Sequence, residues 1–437
     1  MRRFPLVACA VLLVASCGKS RQKRAGDAAP VEIVQQPVGG DAGAGSAAST
    51  DEIEPNDGDD VATPYALGAT ARGRIEPETD ADFYKLVLND SGALTVELTA
   101  VEGMDLTLEV LDAGGSLLAK SDRGAIKVKE GVPNLGVNPG RYTLVVRAKK
   151  PPTAKPTPTK KGAKKPPIDA GVAGPTNTPV YELTARIGAV AANSEREPDD
   201  DRGTANDLIV GDTASGFVGW VGDVDVYKLS VEAVSAKNNV DLEVSGVEGV
   251  ALTVEIADAL GKVLMTRKTG KGAPLIVRGL VPFVPSGSPP FHYILVKGTS
   301  SNHETAYQLR VLEKVTGPDA EAEPNDTAER AMPVPPDRTV VHGSWTPGDV
   351  DFYALPVEQA ARSVEITIQP GGDTDVTAEV IVDGKVIAKG ERQGKGAEER
   401  LTAAVPAGAT ALLKITATAN SAEGTYDISM QDGPAGP

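Results

Sequence analysis

Acidic and amide side chains recur in three copies of one pattern along this chain of 437 residues. Each copy has an acidic segment, Glu-x-Glu-Pro-(Asn or Asp)-Asp, and a later Asp pair, Asp-x-Asp, whose second Asp follows the second Glu by 28 residues. Such oxygens are ligands of hard cations, and Ca²⁺ takes about six to eight of them. The pattern predicts a calcium site in each copy if the two segments converge. The candidate ligands are Glu52, Glu54, Asn56, Asp57, Asp80 and Asp82; Glu195, Glu197, Asp199, Asp200, Asp223 and Asp225; and Glu321, Glu323, Asn325, Asp326, Asp349 and Asp351.

A second interpretation of the same residues needs no ion. Pro-Asn-Asp forms turns, and an Asp-x-Asp pair can begin a strand without a ligand. Gathering six acidic or amide side chains without a cation is costly, however, because buried like charges repel one another. We therefore expect calcium in at least one copy, and first in the copies that carry Asn56 and Asn325.

The fixed spacing indicates one structural module repeated three times. In the first copy, short runs of alternating apolar and polar residues cover 83–88, 94–98, 106–111, 117–119 and 142–146, with Gly, Asp, Asn and Pro between them. Such runs predict an antiparallel β-sandwich, and no run sustains helical spacing. The predicted fold is all-β, with three tandem sandwiches: module 1 (residues 51–189), module 2 (193–314) and module 3 (319–432).

The first residues have the pattern of a secretory signal: Arg2 and Arg3 precede an apolar stretch and a Val-Ala-Ser-Cys sequence that ends at Cys17. This sequence resembles a bacterial lipoprotein signal, which implies a signal peptide over 1–16 and a lipid on Cys17. By analogy with enteric sorting, Gly18 favours the outer membrane. Residues 17–50 are rich in small and polar residues, which is typical of a flexible tether.

Composition limits the class of protein further. The formal net charge of −16 argues against a nucleic-acid-binding protein. Of the two cysteines, Cys9 lies in the signal, so Cys17 would be the only mature one and no disulfide could form within the chain. We expect the modules to be stabilised by their cores or by metal ions.

A Lys- and Pro-rich segment over 149–178 interrupts module 1. The other modules end in two strand-like runs, so we interpret this segment as an insertion at the tip of a final hairpin. Two roles stay open for it: a solvated loop in polyproline II form, or a cationic arm that touches an anionic polymer or phospholipid headgroups.

Together, the E-P-[ND]-D start, the segments beginning at Gly73, Gly216 and Gly343, and the D-x-D-[FV]-Y sequence resemble the bacterial pre-peptidase C-terminal domain. The resemblance covers nearly everything after residue 51. It implies a jelly-roll-like β-sandwich, a non-catalytic accessory role, and calcium on the residues given above, as in the related collagen-binding domains of collagenases. No peptidase precedes the modules here, which departs from the usual setting of the family.

Other sequence features agree with a non-catalytic protein. The three histidines lie outside metalloprotease motifs, and the carboxylate pairs repeat in every module, whereas a glycosidase uses one differentiated pair. Trp220 and Trp345 just precede the Asp pairs; we favour packing for both over stacking on a sugar.

The sequence thus predicts a lipid-anchored envelope protein that binds an extracellular polysaccharide or protein. The alternatives are a non-binding spacer and an accessory component of a secreted hydrolase. It does not indicate the oligomeric state.

Overall fold

The computed structural model describes residues 49–433 except 78, 125, 150–178, 190, 236, 283, 285–286, 337–339, 391–393 and 418–422. These residues belong to one compact unit, 47–437. The predicted signal peptide, Cys17, residues 17–48 of the tether and most of the Lys- and Pro-rich segment lie outside the described residues, whereas Ser49 and Thr50, predicted to be tether, belong to a strand of module 1. No helix among the described residues is long and apolar enough to cross a membrane.

Module 1 is a sandwich of two five-stranded sheets. The front sheet, which carries the Asp pair, has the order β2-β4-β9-β6-β7, and the back sheet has the order β1-β3-β10-β5-β8. Pairing is antiparallel except where β1 meets β3 and β2 meets β4. The strands are β1 (Ser49–Asp51), β2 (Thr63–Tyr65), β3 (Thr70–Gly73), β4 (Ala81–Leu88), β5 (Gly92–Leu98), β6 (Leu106–Leu111), β7 (Leu117–Ser121), β8 (Glu130–Val137), β9 (Gly140–Ala148) and β10 (Tyr181–Gly188).

Module 2 repeats this arrangement with a five-stranded front sheet and a four-stranded back sheet. Its strands are β11 (Asn206–Ile209), β12 (Thr213–Val218), β13 (Val224–Ser230), β14 (Asn238–Val244), β15 (Leu252–Ala257), β16 (Val263–Lys268), β17 (Leu275–Leu280), β18 (Phe291–Gly298) and β19 (Asn302–Val315). The front order is β11-β13-β18-β15-β16, and the back order is β12-β19-β14-β17.

Module 3 has the same two sheets and one 3-10 turn, Ala328–Arg330. Its strands are β20 (Met332–Pro333), β21 (Val341–Trp345), β22 (Asp351–Ala354), β23 (Arg362–Pro370), β24 (Val376–Val382), β25 (Lys385–Gly390), β26 (Glu399–Val405), β27 (Ala411–Ala417) and β28 (Gly424–Asp432). The front order is β20-β22-β27-β24-β25, and the back order is β21-β28-β23-β26. The all-β prediction of three tandem sandwiches is therefore confirmed.

Alternation explains why these residues form half-buried strands. In β26, buried and exposed residues follow one another without exception, so one face lines the core and the other meets solvent. The inward residues of the two sheets form a separate apolar core in each module, mostly Val, Leu, Ile and Ala with buried tyrosines. Burial of these side chains is the main force that stabilises each sandwich.

The predicted final hairpin is wrong. β9 pairs with β4 and β6 in the front sheet, whereas β10 pairs with β3 and β5 in the back sheet. An alternating pattern identifies a strand but not the sheet to which it belongs, because strands of both sheets turn one face to the core and show the same pattern. The Lys- and Pro-rich segment therefore lies on a connection between the two sheets.

Consecutive modules are joined by backbone pairing. The second Glu of module 2's acidic segment, Glu197, bridges Leu135 of β8, and Glu323 of module 3 bridges Leu280 of β17 in the same parallel manner. At each joint the receiving strand has one extra residue and a positive φ, at Asn134 (φ 57°) and Gly279 (φ 70°). A β-bulge of this kind re-aims an edge strand. The equivalent β26 of module 3 pairs with β23 in continuous register.

Candidate cation sites and the module joints

The acidic segment and the second Asp of the pair converge in all three modules. We define the inner triad as the two glutamates and the second Asp: Glu52, Glu54 and Asp82; Glu195, Glu197 and Asp225; Glu321, Glu323 and Asp351. In each triad, one oxygen from every residue lies within 4.8 Å of the others. Module 1 has a second, outer triad of Glu54, Asp57 and Asp80 at the same spacing.

Main-chain contacts fix the acidic segment beside the Asp pair. The Phe83 amide donates to the Asn56 carbonyl at 3.1 Å, and Phe352 does the same to Asn325. Asn56, Asp199 and Asn325 each donate an amide hydrogen bond to the carboxylate two residues earlier, at 2.9 to 3.0 Å. The glutamates are thereby held with their carboxylates turned towards the Asp pair.

A tyrosine pair underlies each inner triad. Tyr84 and Tyr181, Tyr227 and Tyr307, and Tyr353 and Tyr426 have hydroxyl oxygens 2.7 to 2.8 Å apart. The second tyrosine of each pair donates to Oδ2 of the second Asp, namely Asp82, Asp225 or Asp351. The sequence analysis missed this role; the signal available was the recurrence of Tyr-x-(Leu or Ile) in the last strand of each module.

The glycines that begin the middle segment of each module, Gly73, Gly216 and Gly343, have a steric reason. A Cβ added to Gly216 would lie 2.1 Å from Oε2 of Glu195 and 2.4 Å from the Tyr307 hydroxyl. Gly73 and Gly343 are covered by Tyr181 and Tyr426 in the same way. Only glycine leaves room for the tyrosine at all three positions, and for the first glutamate at Gly73 and Gly216.

Each inner site keeps buried oxygens that no hydrogen bond satisfies. Oδ1 of the second Asp has no partner in any module, and neither has Oδ1 of the Asn or Asp within the acidic segment. The residues concerned are Asp82, Asp225 and Asp351, and Asn56, Asp199 and Asn325, all fully buried. Such atoms are rare in folded proteins, and a bound ion is one kind of group that can satisfy them. The oxygen-only donor set fits Ca²⁺.

Electrostatics of the sites support the same interpretation. Burial, with the charges of Glu52 and Asp80, raises the pKa of Asp82 to about 8 despite the Tyr181 hydrogen bond. In module 2, burial and neighbouring carboxylates raise the pKa of Glu197 and of Asp223 to about 9. Without a cation, these groups hold protons near neutral pH, because ionised carboxylates would repel one another in a medium that screens them weakly.

Module 3 receives an arginine from its neighbour. Arg267 of β16 in module 2 is 2% exposed, and its guanidinium pairs with Glu323 at 2.9 Å, with Asp326 at 2.7 Å and with Asp349. Burial alone would lower the pKa of Arg267, but these three carboxylates raise it. The acceptors are the equivalents of the outer triad of module 1.

The acidic site of module 2 faces module 1, and no arginine enters it from the described part of module 1, in contrast to the site of module 3. Ser121 of β7 is the module 1 equivalent of Arg267. Ser121 pairs with Leu108 in module 1, Arg267 pairs with Val254 in module 2, and Leu108 and Val254 occupy equivalent positions in their modules. Ser121 donates instead to Glu130, at 2.6 Å. Among the described residues, no Lys or Arg forms an ion pair with the six candidate ligands of module 2.

Module 1 leaves its own acidic segment open. Glu54 and Asp57 are exposed, whereas Glu197 and Glu323 are buried under the preceding module. The inner residues of module 1, Asn56 and Asp82, are nevertheless fully buried. The same motif therefore faces solvent in module 1 and an interdomain contact in the other two.

Both tryptophans are buried, which confirms the packing interpretation. Trp345 is 4% exposed and belongs to the core of its own module. Trp220, 6% exposed, packs instead into the core of module 1, beside the joint. Its neighbour Val221 donates a backbone hydrogen bond to Lys120 of module 1 at 3.3 Å.

No family model and no curated protein matches the chain. Among solved structures, the chain is similar to the pre-peptidase C-terminal domain of a collagenase from Bacillus anthracis, with 20% identity and a TM-score of 0.20, over 23% of this chain and 92% of that one. It is also similar to a protein from Eubacterium rectale described as secreted, with 8% identity and a TM-score of 0.16, over 55% of this chain and 85% of that one. The family resemblance continues to rest on the sequence motifs.

Proposed function

We propose that this chain is a non-catalytic, exported protein of the cell envelope, a calcium-stabilised arm of three β-sandwiches that binds an extracellular polysaccharide or protein. The observation that carries the proposal is the set of buried, unpartnered oxygens that recurs at the beginning of every module. Repetition of one site in three modules suits binding or stabilisation better than catalysis, which needs one differentiated set of groups.

In each module, calcium would be held by the two glutamates and by Oδ1 of the second Asp. Oδ1 of Asn56, Asp199 or Asn325 would be a further ligand. Its charge would offset the repulsion that otherwise keeps these groups protonated. Binding to the folded chain alone stabilises it by about 2.7 kcal/mol when calcium is a hundredfold above its dissociation constant. Because two of the sites lie at joints, the ion would also stiffen the arm.

The arm would be anchored through a lipid on Cys17, in the outer membrane, with residues 17–50 as its tether. Two or three acyl chains give stable membrane attachment. Cys17→Ser should move the protein out of the membrane fraction or leave it unprocessed. A mutant that is processed and fractionates like the wild type would contradict the anchor.

The main experiment uses the chain without residues 1–17, melted in calcium, in magnesium and in chelator, with small-angle scattering in parallel. We expect calcium to raise the melting temperature and to make the particle more uniform in length. An unchanged melt together with no heat of binding at millimolar calcium would remove calcium from the proposal.

Binding is tested on glycan and protein arrays with the same sample. A specific signal supports a binding arm, whereas blank arrays favour the spacer, which the closed joints also suit. Hydrolysis of casein or of a peptide library by the purified chain would overturn the non-catalytic assignment.

A further inference from the structure

The outer triad has different surroundings in modules 1 and 3. In module 1 it consists of Glu54, Asp57 and Asp80, with one oxygen of each within 4.8 Å of the others. Asp80 accepts main-chain hydrogen bonds from Glu76 and Ala81 at 2.8 Å each. Among the described residues, no Lys or Arg forms an ion pair with this triad. No described Lys or Arg therefore compensates its charge.

In module 3 the equivalent triad is Glu323, Asp326 and Asp349, and each carboxylate pairs with the Arg267 guanidinium. Arg267 is almost completely buried, so its charge is desolvated and stays in place only because these partners surround it. A guanidinium has a planar fork of donors that matches carboxylates, so it can replace a metal ion electrostatically. One atom of the set, Oδ2 of Asp326, is left without a hydrogen bond.

We infer that Arg267 is a built-in substitute for a cation at the outer triad of module 3, so that module 3 takes a divalent ion at its inner triad alone while module 1 takes one at each triad. This inference rests on the calcium sites of the proposed function. The two joints then differ in their need for ions. At the joint between modules 2 and 3, the Arg267 side chain supplies the positive charge at the outer triad.

The inner triad of module 3 stays available beside the arginine. Glu321 accepts hydrogen bonds from Ser344, Tyr353 and Asn325, and Arg267 does not contact it. Oδ1 of Asp351 and Oδ1 of Asn325 are buried and unpartnered on that side. An ion there would share Glu323 with Arg267, just as the two triads of module 1 share Glu54.

The test counts bound calcium per chain by equilibrium dialysis and elemental analysis, with the chain lacking residues 1–17. Asp57→Ala and Asp326→Ala remove equivalent outer carboxylates in modules 1 and 3. We expect Asp57→Ala to lose one ion per chain and Asp326→Ala to lose none. An equal change in the two variants, whether a loss or no loss, would overturn the inference.

Arg267→Gln supplies the converse measurement. Removing the guanidinium should empty the outer triad of module 3, and the variant should bind one calcium more than the wild type. Arg278→Gln is the matched control, because Arg278 pairs with Glu423 across the same joint at 2.8 Å but away from the triad, and its calcium count should not change. A folded Arg267→Gln variant with the wild-type count would contradict the inference.

Should Arg267→Gln fail to fold even in millimolar calcium, the comparison of Asp57→Ala with Asp326→Ala decides the question. The outcomes also separate this inference from the proposed function. A wild-type chain that binds no calcium refutes both, whereas a calcium-binding chain in which the two Asp variants behave alike refutes the arginine substitution alone.

Discussion

The two joints share one backbone design but are closed by different chemistry. In both, a glutamate of the following module bridges a bulged edge strand of the preceding one. Between modules 1 and 2, Trp220 fills the core of the neighbour, and the buried carboxylates meet no described cation. Between modules 2 and 3, Arg267 enters the carboxylate cluster, and Trp345 stays in its own core. One docking geometry can therefore be stabilised by apolar burial or by charge neutralisation.

The backbones of consecutive modules approach closely at these joints, which explains the glycines found there, Gly136 and Gly279. A Cβ added to Gly136 would lie 2.1 Å from the Glu197 carbonyl oxygen, which instead accepts the Gly136 amide at 2.6 Å. At the other joint, a Cβ on Gly279 would meet the Glu321 carbonyl at 2.7 Å. Both joints thus depend on backbone contact that larger residues would prevent.

The largest expected effect comes from Arg267→Leu measured in chelator. Removing one partner of a buried ion pair costs about 3 to 5 kcal/mol, because the remaining charges lose their compensation. We expect the upper end, since three carboxylates share this arginine. Arg278→Leu is the control: its ion pair with Glu423 is partly exposed, and exposed pairs contribute at most about 1 kcal/mol. Equal losses in calorimetric melts would mean that the triad has no special role at this joint.

Trp220→Ala should destabilise the joint between modules 1 and 2, lowering the free energy of unfolding by about 3 kcal/mol. Truncating a buried tryptophan removes apolar burial and leaves a cavity, here between modules 1 and 2. In calorimetry, the transitions of modules 1 and 2 should separate or shift down, while that of module 3 stays. Trp345→Ala is the counterpart and should affect module 3. If Trp220→Ala lowers only module 2, Trp220 does not couple the two modules.

A further difference between the joints is their pH dependence in chelator, which needs no substitution. Glu197 and Asp223, with pKa values of about 9 when folded, ionise near pH 4 when unfolded. Folding therefore takes up protons between these limits, so the free energy of unfolding should rise as pH falls from about 9 to about 6. In module 3, burial raises the pKa of Asp349 but Arg267 limits it to about 7, whereas burial and neighbouring carboxylates raise the pKa of Glu323 well above its usual range. Asp349 should therefore contribute less to the pH dependence than its equivalent Asp223.

Calcium should reverse this dependence, because protons and the ion compete for the same carboxylates. Melts of the intact chain at several pH values, with calcium and with chelator, measure both trends. A stability in chelator that rises with pH would show that the clusters are ionised and stabilised in some other way.

Much of the site could be predicted from the sequence. The spacing of the two acidic segments identified residues that do converge, because the same 28-residue separation returns the chain to the same place in each module. Strands with regular alternation, such as β4 and β6, were also predicted. β8 was missed, since Pro133 and Asn134 interrupt its pattern, and these residues belong to the bulge that receives module 2.

The sequence by itself determined the repeated module, its all-β class and the set of acidic residues, because periodicity and motif spacing are local properties of the chain. Only the tertiary structure decided which sheet each final strand joins, that Trp220 packs into the preceding module, and that Arg267 enters the cluster of module 3. Arg267 and Asp349 are 82 residues apart, and nothing in the local pattern of either segment relates them. Their contact follows from the docking of one sandwich on the next, which places a buried positive charge among carboxylates that would otherwise repel one another.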